Sequence, residues 1–280
     1  MLRTEHSSLR QGLVGAWCPS LGASGLTLID RSGRNNHGTL TNMGGQTVWV
    51  PSGGALSLQF DGVNDHVSLP STSSVSTSIP FSVSAFVNTT NLTTQQFPNI
   101  ACISSSNQSQ PFQVAVSAQA TYVGVLFGAQ SGWGQFRADP SWTSGRWNHV
   151  VLVYDGGSST STASFAAYVN GISVAVTTAA SFASVSNVSQ IGRTGGANAF
   201  MFGGIDDLRI YSRALTPAEI RILASRRGIG LTPLPDRAAG LPRRFSVNVG
   251  GDWRSADSYV NVGGVWKLGQ PSVNVGGVWK

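Results

Sequence analysis

Residues 203–220 read Gly203-Gly204-Ile205-Asp206-Asp207-Leu208-Arg209-Ile210-Tyr211-Ser212-Arg213-Ala214-Leu215-Thr216-Pro217-Ala218-Glu219-Ile220. Ile205, Leu208, Ile210 and Tyr211 form a short β-prone run. Thr216, Pro217 and Glu219 then supply an N-cap, a first-turn proline and the reciprocal carboxylate of a capping box. The helix they open runs through Ile220, Ile222, Leu223 and Ala224, and is expected to stop at Gly228, since glycine favours a left-handed C-terminal cap. Paired aspartates on a strand thus feed one short helix in a chain otherwise patterned as short strands.

Strand-like runs recur at 13–18, 56–60, 81–88, 112–116, 122–127, 148–154, 164–169, 172–177 and 205–211, separated by Gly, Ser, Asn, Asp and Pro clusters. This spacing predicts an all-β antiparallel sandwich. Tyr168-Val169-Asn170-Gly171-Ile172-Ser173-Val174 is the clearest hairpin, because Asn-Gly accepts the positive φ angles of a type I′ turn. In Phe81-Ser82-Val83-Ser84-Ala85-Phe86-Val87 apolar residues mostly alternate with serines, predicting one core face and one wet face. Some 210 residues suffice for a single two-sheet core.

Further segments share an order with a known family. Gly12-Leu13-Val14-Gly15-Ala16-Trp17 looks like an opening strand, and Leu28-Ile29-Asp30-Arg31-Ser32-Gly33-Arg34-Asn35-Asn36-His37-Gly38-Thr39-Leu40 is similar to an Asp-x-Ser-Gly…His-Gly-Thr loop. Ser57-Leu58-Gln59-Phe60-Asp61-Gly62-Val63-Asn64-Asp65-His66-Val67 carries a Phe-Asp-Gly hairpin. Arg146-Trp147-Asn148-His149-Val150-Val151-Leu152-Val153-Tyr154-Asp155 carries a Trp-x-His-Val strand. With residues 203–220 these five motifs resemble, over 12–225, a LamG-like (concanavalin A-like lectin/glucanase) jelly roll. The resemblance implies two antiparallel sheets and one short C-terminal helix.

Only 11% of the residues are charged, 41% are apolar and 34 are glycine, so the chain folds and presents an uncharged Ser/Thr/Asn/Gly surface. The net charge of +6 is unevenly placed. Residues 1–225 hold ten Arg against nine acids, whereas 226–280 hold six Arg and two Lys against three Asp. A nucleic-acid-binding domain carries its basic patch on the folded body, so no nucleic-acid partner is expected. Met1–Ser20 contains no apolar h-region and no run approaches a membrane span, so neither a secretory signal nor membrane association is expected.

The sandwich is flanked by three other segments. Residues 1–11 read as an arm or a short helix. Residues 226–244, with five arginines among Gly228, Gly230, Pro233, Pro235, Gly240 and Pro242, read as an extended linker. Residues 245–280 hold three copies of one unit: Val247-Asn248-Val249-Gly250-Gly251-Asp252-Trp253, Val260-Asn261-Val262-Gly263-Gly264-Val265-Trp266 and Val273-Asn274-Val275-Gly276-Gly277-Val278-Trp279. Their constant offset marks an internal repeat, and each copy reads as a β-hairpin turning at Gly-Gly. A lone hairpin of this size is marginal in water. Trp253, Trp266 and Trp279 are therefore expected to be buried in assembly, on their siblings or on another chain. The tail resembles repeats that end tailed-bacteriophage tail and virion-associated proteins.

The acids argue against catalysis. Glycoside hydrolysis needs two carboxyl groups facing each other across a sugar, yet the chain has just two Glu, Glu5 and Glu219. There is no nucleophile elbow or phosphate loop, and no enzymatic activity is expected. Asp30 and Asn36 are candidate ligands for a calcium ion, which takes carboxylate, amide and carbonyl oxygens, and the resemblance, which implies that this loop lies near the Ile-Asp-Asp strand, adds Asp206; Asx turns are the alternative reading of Asp30 and Asn36. Trp133 and Trp142 are candidate glycan-binding platforms, with burial as the alternative. Cys18 and Cys102 read as buried free thiols, with a bridge between them as the alternative, and His149 as a strand residue in or near the core.

These features lead to the expectation of a non-enzymatic bacteriophage virion protein, a head-decoration or tail-associated subunit. Its partners would be other virion proteins and further copies of itself, with cell-surface glycans for attachment. The alternative is a secreted bacterial LamG-like protein that binds or hydrolyses carbohydrate.

Overall fold

A computed structural model describes residues 6–44, 48–52, 54–70, 80–89, 99–104, 112–118, 123–129, 132–138, 141–179, 187–193, 200–231, 245–249, 252–256, 259–262, 265–268, 274–275 and 278–279. The chain divides into two units, residues 1–232 and 233–280.

In the first unit the strands are β1 (Leu13–Trp17), β2 (Thr27–Leu28), β3 (Gly38–Thr41), β4 (Trp49–Ser52), β5 (Ala55–Asp61), β6 (His66–Ser68), β7 (Phe81–Asn88) and β8 (Asn99–Ser104). They continue as β9 (Phe112–Ala118), β10 (Val123–Ala129), β11 (Gly132–Arg137), β12 (Asn148–Tyr154), β13 (Phe165–Val169), β14 (Ile172–Val174), β15 (Val176–Thr178), β16 (Asn187–Ile191) and β17 (Phe202–Tyr211). Helix α1 (Pro217–Ser225) follows. One sheet runs β14-β13-β12-β7-β17-β5-β4 with β1 added on β17, and the other runs β15-β11-β10-β9-β8-β16-β6-β3-β2. Every pairing is antiparallel, as the strand spacing predicts.

The two sheets close on one core. Val83, Ala85 and Val87 of β7 and Leu152 and Tyr154 of β12 meet Val114, Val116, Val125, Phe127 and Phe136 from the other sheet. Phe165 lies between Phe127 and Tyr154, at centroid distances of 4.8 and 5.1 Å. The expected hairpin is present: Val169 pairs with Ile172 across Asn170 (φ 52°) and Gly171 (φ 79°).

The expected capping box is formed. Thr216 Oγ1 accepts from the Glu219 backbone N–H, and Glu219 Oε2 accepts from the Thr216 backbone N–H at 3.0 Å. The helix ends at Ser225, however, before the expected glycine. Gly228 does adopt φ 75°, but its N–H goes to Asp207 Oδ2 at 2.7 Å rather than back to the helix. A buried carboxylate is a stronger acceptor than a helix-end carbonyl.

The serine face of β7 is not wet. Ser82 and Ser84 are both buried, because α1, Leu9, Leu215, Ile229 and Leu231 cover that side of the sheet against Val151, Val153 and Tyr211. Their hydroxyls are satisfied internally. Ser82 Oγ donates to the Arg213 carbonyl (2.9 Å) and accepts from the Leu215 N–H (3.0 Å), and Ser84 Oγ lies 2.9 Å from His149 Nε2. The N-terminal arm joins this cover as a 3-10 helix, Ser7–Arg10, with Leu9 fully buried and its carbonyl accepting from the Tyr211 hydroxyl at 3.1 Å. Residues 226–231, expected as the start of the linker, are packed here as well.

The second unit consists of hairpins. β18 (Phe245–Val249) pairs with β19 (Asp252–Ala256), β20 (Tyr259–Val262) with β21 (Val265–Leu268), and β22 (Asn274–Val275) with β23 (Val278–Trp279). The register is the same in all three, since Asn248 faces Trp253, Asn261 faces Trp266 and Asn274 faces Trp279. The side chains of these tryptophans lie outside the described residues.

Candidate functional site

A sheet whose two faces are both buried offers no binding surface. The sheet containing β7 and β17 is in that state, with the common core on one face and the α1 cover on the other. Among the described residues no helix packs on the outer face of the nine-stranded sheet, although Ala115 on that face is fully buried. Strand alternation identifies the residues on that face as those out of phase with the buried Leu28, Leu40, Val67, Ile191, Val114, Val125, Phe127 and Phe136.

Cross-strand pairing joins these positions into one row. Thr27 pairs with Thr39, Thr39 with Ser68, Ser68 with Gln190 and Gln190 with Cys102. Cys102 then pairs with Gln113, Gln113 with Gly128 and Gly128 with Trp133. A second row, Ala115–Leu126–Gln135–Thr178, lies beside it. Thr27, Thr39 and Thr178 are exposed, and Ser68, Gln190 and Gln135 are partly so. Neither row contains a charged residue, but Arg137 shares their face, pairing with Gly124 next to the second row.

Of the two platform tryptophans, Trp133 falls within β11, at the end of the row, and its side chain lies outside the described residues. Trp142 is a different case. It is 8% exposed and belongs to the core between the sheets, so it is not a surface platform. Packing a large apolar ring between the sheets outweighs leaving its Nε1 without a protein partner.

Asp30, Asn36 and Asp206 do not converge. Asp30 Oδ1 accepts from the backbone N–H of Ala16 (2.9 Å) and Ser32 (2.8 Å), and Oδ2 from Ser32 Oγ (2.7 Å) and the Asn36 N–H (2.9 Å). The Asn36 side-chain amide donates to the Val14 carbonyl at 3.0 Å. These are the Asx-type bonds of the alternative reading. β1 stands between the loop and Asp206, because Trp17 bridges to Asp30 and pairs with Leu208. Asp206 Oδ1 accepts from the N–H of Ser20 (3.2 Å) and Asp207 (2.7 Å), and Oδ2 faces Arg227 Nη1 at 3.1 Å. With donors on all four oxygens of the two carboxylates, these residues do not fit a cation as they stand. Among the described residues no cluster of three or more His, Cys, Asp or Glu could hold a metal.

The other buried ionisable groups are also committed. Asp207 grips Arg209 through Nε (2.7 Å) and Nη2 (2.8 Å). Glu219 grips Arg213 at 2.7 and 2.8 Å, and these bonds hold its carboxyl down at about 2. Burial pushes Asp206 up to about 6, more than the nearby Arg227 lowers it. Cys18 is a buried free thiol, raised by the same desolvation, and Cys102 has no described side chain. His149 is buried against Phe86 and held neutral, its value depressed to about 3 by desolvation.

Two parts of this arrangement escaped the sequence reading. Arg227 was assigned to the linker, yet it spans Asp206, the Ser52 carbonyl (2.6 Å) and the Trp147 ring, 4.6 Å from its centroid. Gln113, Gln135 and Ser68 carry a local signal in being out of phase with apolar neighbours, but their alignment depends on pairing between distant segments.

Residues 61–221, more than half of the chain, match the family described as the concanavalin A-like lectin/glucanases superfamily. No curated protein matches the sequence. Among solved structures the chain is similar to domain 4 of AbnA, a GH43 extracellular arabinanase from Geobacillus stearothermophilus, in complex with arabinotriose. That likeness has a TM-score of 0.54 at 23% identity, over 76% of this chain and 98% of that one. It is also similar to the binding domain of botulinum neurotoxin serotype D (TM-score 0.56, 13% identity, 78% of this chain and 52% of that one). A Trypanosoma rangeli sialidase in complex with 2,3-difluorosialic acid gives a TM-score of 0.51 at 21% identity, over 76% of this chain and 32% of that one. At these identities the likeness is one of fold.

Proposed function

The chain belongs to the concanavalin A-like lectin/glucanases superfamily, and from that membership we propose that it is a non-catalytic glycan-binding module built into a bacteriophage virion. The observation that carries the binding reading is the outer face of the nine-stranded sheet, on which no described helix packs and where Trp133 ends a row that includes Thr39, Ser68, Gln190 and Gln113. An aromatic ring presents a flat apolar surface to a sugar, and neutral donors and acceptors match sugar hydroxyls. The structural relative solved with arabinotriose agrees with this reading.

Absence of catalysis is supported by the carboxylates. Asp30, Asp65, Asp206, Asp207 and Glu219 are buried, and each accepts protein hydrogen bonds, so none of them offers the facing acid pair that glycoside hydrolysis requires.

The virion setting is supported by the tail. Its three hairpins repeat one register, and units of two short strands bury too little apolar surface to be stable alone. They act as the assembly element, joining copies of this chain or other head or tail proteins through Trp253, Trp266 and Trp279, while the sandwich is displayed for surface attachment. A secreted carbohydrate-binding protein is the second reading, favoured by the likeness to a domain of an extracellular arabinanase.

Purified particles and cell-free supernatant from the source culture separate the two. Antibody against residues 12–225 labels particles if the chain is a virion protein. Label confined to the free-protein fraction would refute the virion role. Release of reducing ends from polysaccharide by the purified protein, abolished by an Asp substitution, would refute the non-catalytic role.

A further inference from the structure

Strand β1 pairs with β17 along one edge, and its other edge is closed by a loop rather than by a strand. The Arg31 N–H donates to the Ala16 carbonyl at 2.7 Å, the Asn36 side-chain amide to the Val14 carbonyl at 3.0 Å and Arg34 Nε to the Leu13 carbonyl at 3.0 Å. Arg34 thus stands at the start of β1 and Arg31 near its end, separated by the span from Leu13 to Ala16, roughly 10 Å. Arg31 Nη2 also donates to the Leu21 carbonyl at 3.3 Å, and Arg10, in the 3-10 turn just before β1, reaches the Leu231 carbonyl through Nη2 at 3.5 Å. Leu21 lies against Gly228, whose carbonyl accepts from the Leu231 N–H at 3.1 Å, so the three arginines belong to one rim. From this rim we infer that the sandwich docks an acidic segment of another protein.

The charge of the rim is unbalanced. Residues 6–37 contain one carboxylate, Asp30, which is buried and whose oxygens already accept from Ala16, Ser32 and Asn36. Arg209, Arg213 and Arg227 are matched by Asp207, Glu219 and Asp206. Among the described residues the guanidinium groups of Arg10, Arg31 and Arg34 meet carbonyl oxygens and no carboxylate, with Arg10 and Arg34 exposed and Arg31 half-buried. One bond to a carbonyl leaves most of the five N–H donors of a guanidinium unused. It also holds the planar fork in place, so less freedom is lost when the fork grips a carboxylate. Exposed Ser7, Gln11 and Asn35 add uncharged donors and acceptors for a polypeptide main chain. A second copy of the sandwich does not supply the acid, because its exposed carboxylates among the described residues are Asp61, at the end of β5, and Asp155, after β12. A nucleic acid held by about six to ten phosphate contacts asks for a longer basic track. Carboxylates about three residues apart on an extended segment match the spacing of Arg31 and Arg34.

Fluorescence anisotropy of the full-length protein tests this, with a labelled peptide of alternating glutamate and serine, its glutamine counterpart, and heparin and single-stranded DNA oligomers of equal charge. The glutamate peptide should bind, less tightly as salt rises, and the glutamine peptide should not. Arg31→Glu and Arg34→Glu should each weaken binding about threefold to tenfold. Arg146→Glu, at an exposed arginine outside the rim, should change it by less than about twofold. Arg34→Gln keeps a donor for the Leu13 carbonyl, so it should melt with the wild type and still weaken binding, which separates lost charge from lost folding. The cations of residues 233–280 are the same in every variant. Binding through the tail would therefore leave all the variants equal to wild type and would overturn the rim, as would an equal loss in Arg146→Glu. No binding of the glutamate peptide, or tighter binding of heparin or DNA, would overturn the acidic-protein partner.

Discussion

Asp207 and Arg209, two residues apart on β17, hold each other at 2.7 and 2.8 Å with both side chains sealed from solvent. The pairing register with β7 shifts between Asp206 and Arg209, and Asp207 sits at φ 48°, a conformation rare for a residue with a side chain. This strain is held by the ion pair and by the Gly228 N–H on Asp207 Oδ2. Removing one partner leaves a buried charge unmet. Arg209→Met should therefore cost about 3–5 kcal/mol in urea unfolding, and the double variant Asp207→Asn, Arg209→Met should lose less than the sum of the single losses.

Residues 226–231 belong to the sandwich rather than to a free linker. Ile229 and Leu231 are buried, and Arg227 and Gly228 satisfy Asp206 and Asp207. A protein ending at Thr232 should melt close to the full chain, whereas one ending at Ser225 should lose about 3–6 kcal/mol from the two apolar side chains alone. Ending at Thr232 also removes the repeats, so that protein should sediment as a monomer if the tail is the assembly element.

Acid sensitivity follows from buried groups with opposite signs. His149, depressed to about 3, is neutral in the folded protein and binds a proton on unfolding below 6.5. Its contribution is complete above pH 6.5 and declines as pH falls toward 3. Glu219, depressed to about 2, acts in the same direction below 4.5. Asp206, raised to about 6, opposes them, since the folded state takes up its proton first as pH falls from 6 to 3.8. His149→Gln should therefore flatten the stability loss between pH 6.5 and 4.5 by roughly 2–3 kcal/mol relative to wild type. An unchanged slope would assign the loss elsewhere.

A ligand bound only by the folded state raises the melting temperature by mass action. Because the oxygens of Asp30 and Asp206 are filled by internal donors, chelator should leave the melting curve of the full chain unmoved. A calcium-dependent rise, lost in Asp30→Asn, would restore the metal reading.

The elements legible in the sequence are those with local signals. Apolar runs marked β1, β5, β7, β9, β10, β12, β13 and β17 to within a few residues, and the cap chemistry of Thr216 and Glu219 marked α1. β2, β3, β4, β6, β8, β11 and β16 are short or lack apolar alternation, and pairing with neighbours rather than their own pattern makes them strands. Ser82 and Ser84 looked solvent-facing because alternation reports polarity and is blind to a helix that later folds over the face. Trp142 and Trp133 illustrate the same limit at the site. Their turn-like surroundings were visible, but one is packed between the sheets and the other is placed by the register of β10 and β11.

The central claim, that the outer face of the nine-stranded sheet binds neutral glycans, is tested most directly by affinity electrophoresis of the full chain and of Trp133→Ala in gels containing neutral polysaccharide. Wild type should be retarded by at least one polysaccharide, with no reducing ends released, and Trp133→Ala should migrate as it does in a gel without polysaccharide. Equal retardation of both proteins, or retardation of neither in any neutral polysaccharide, would contradict the account.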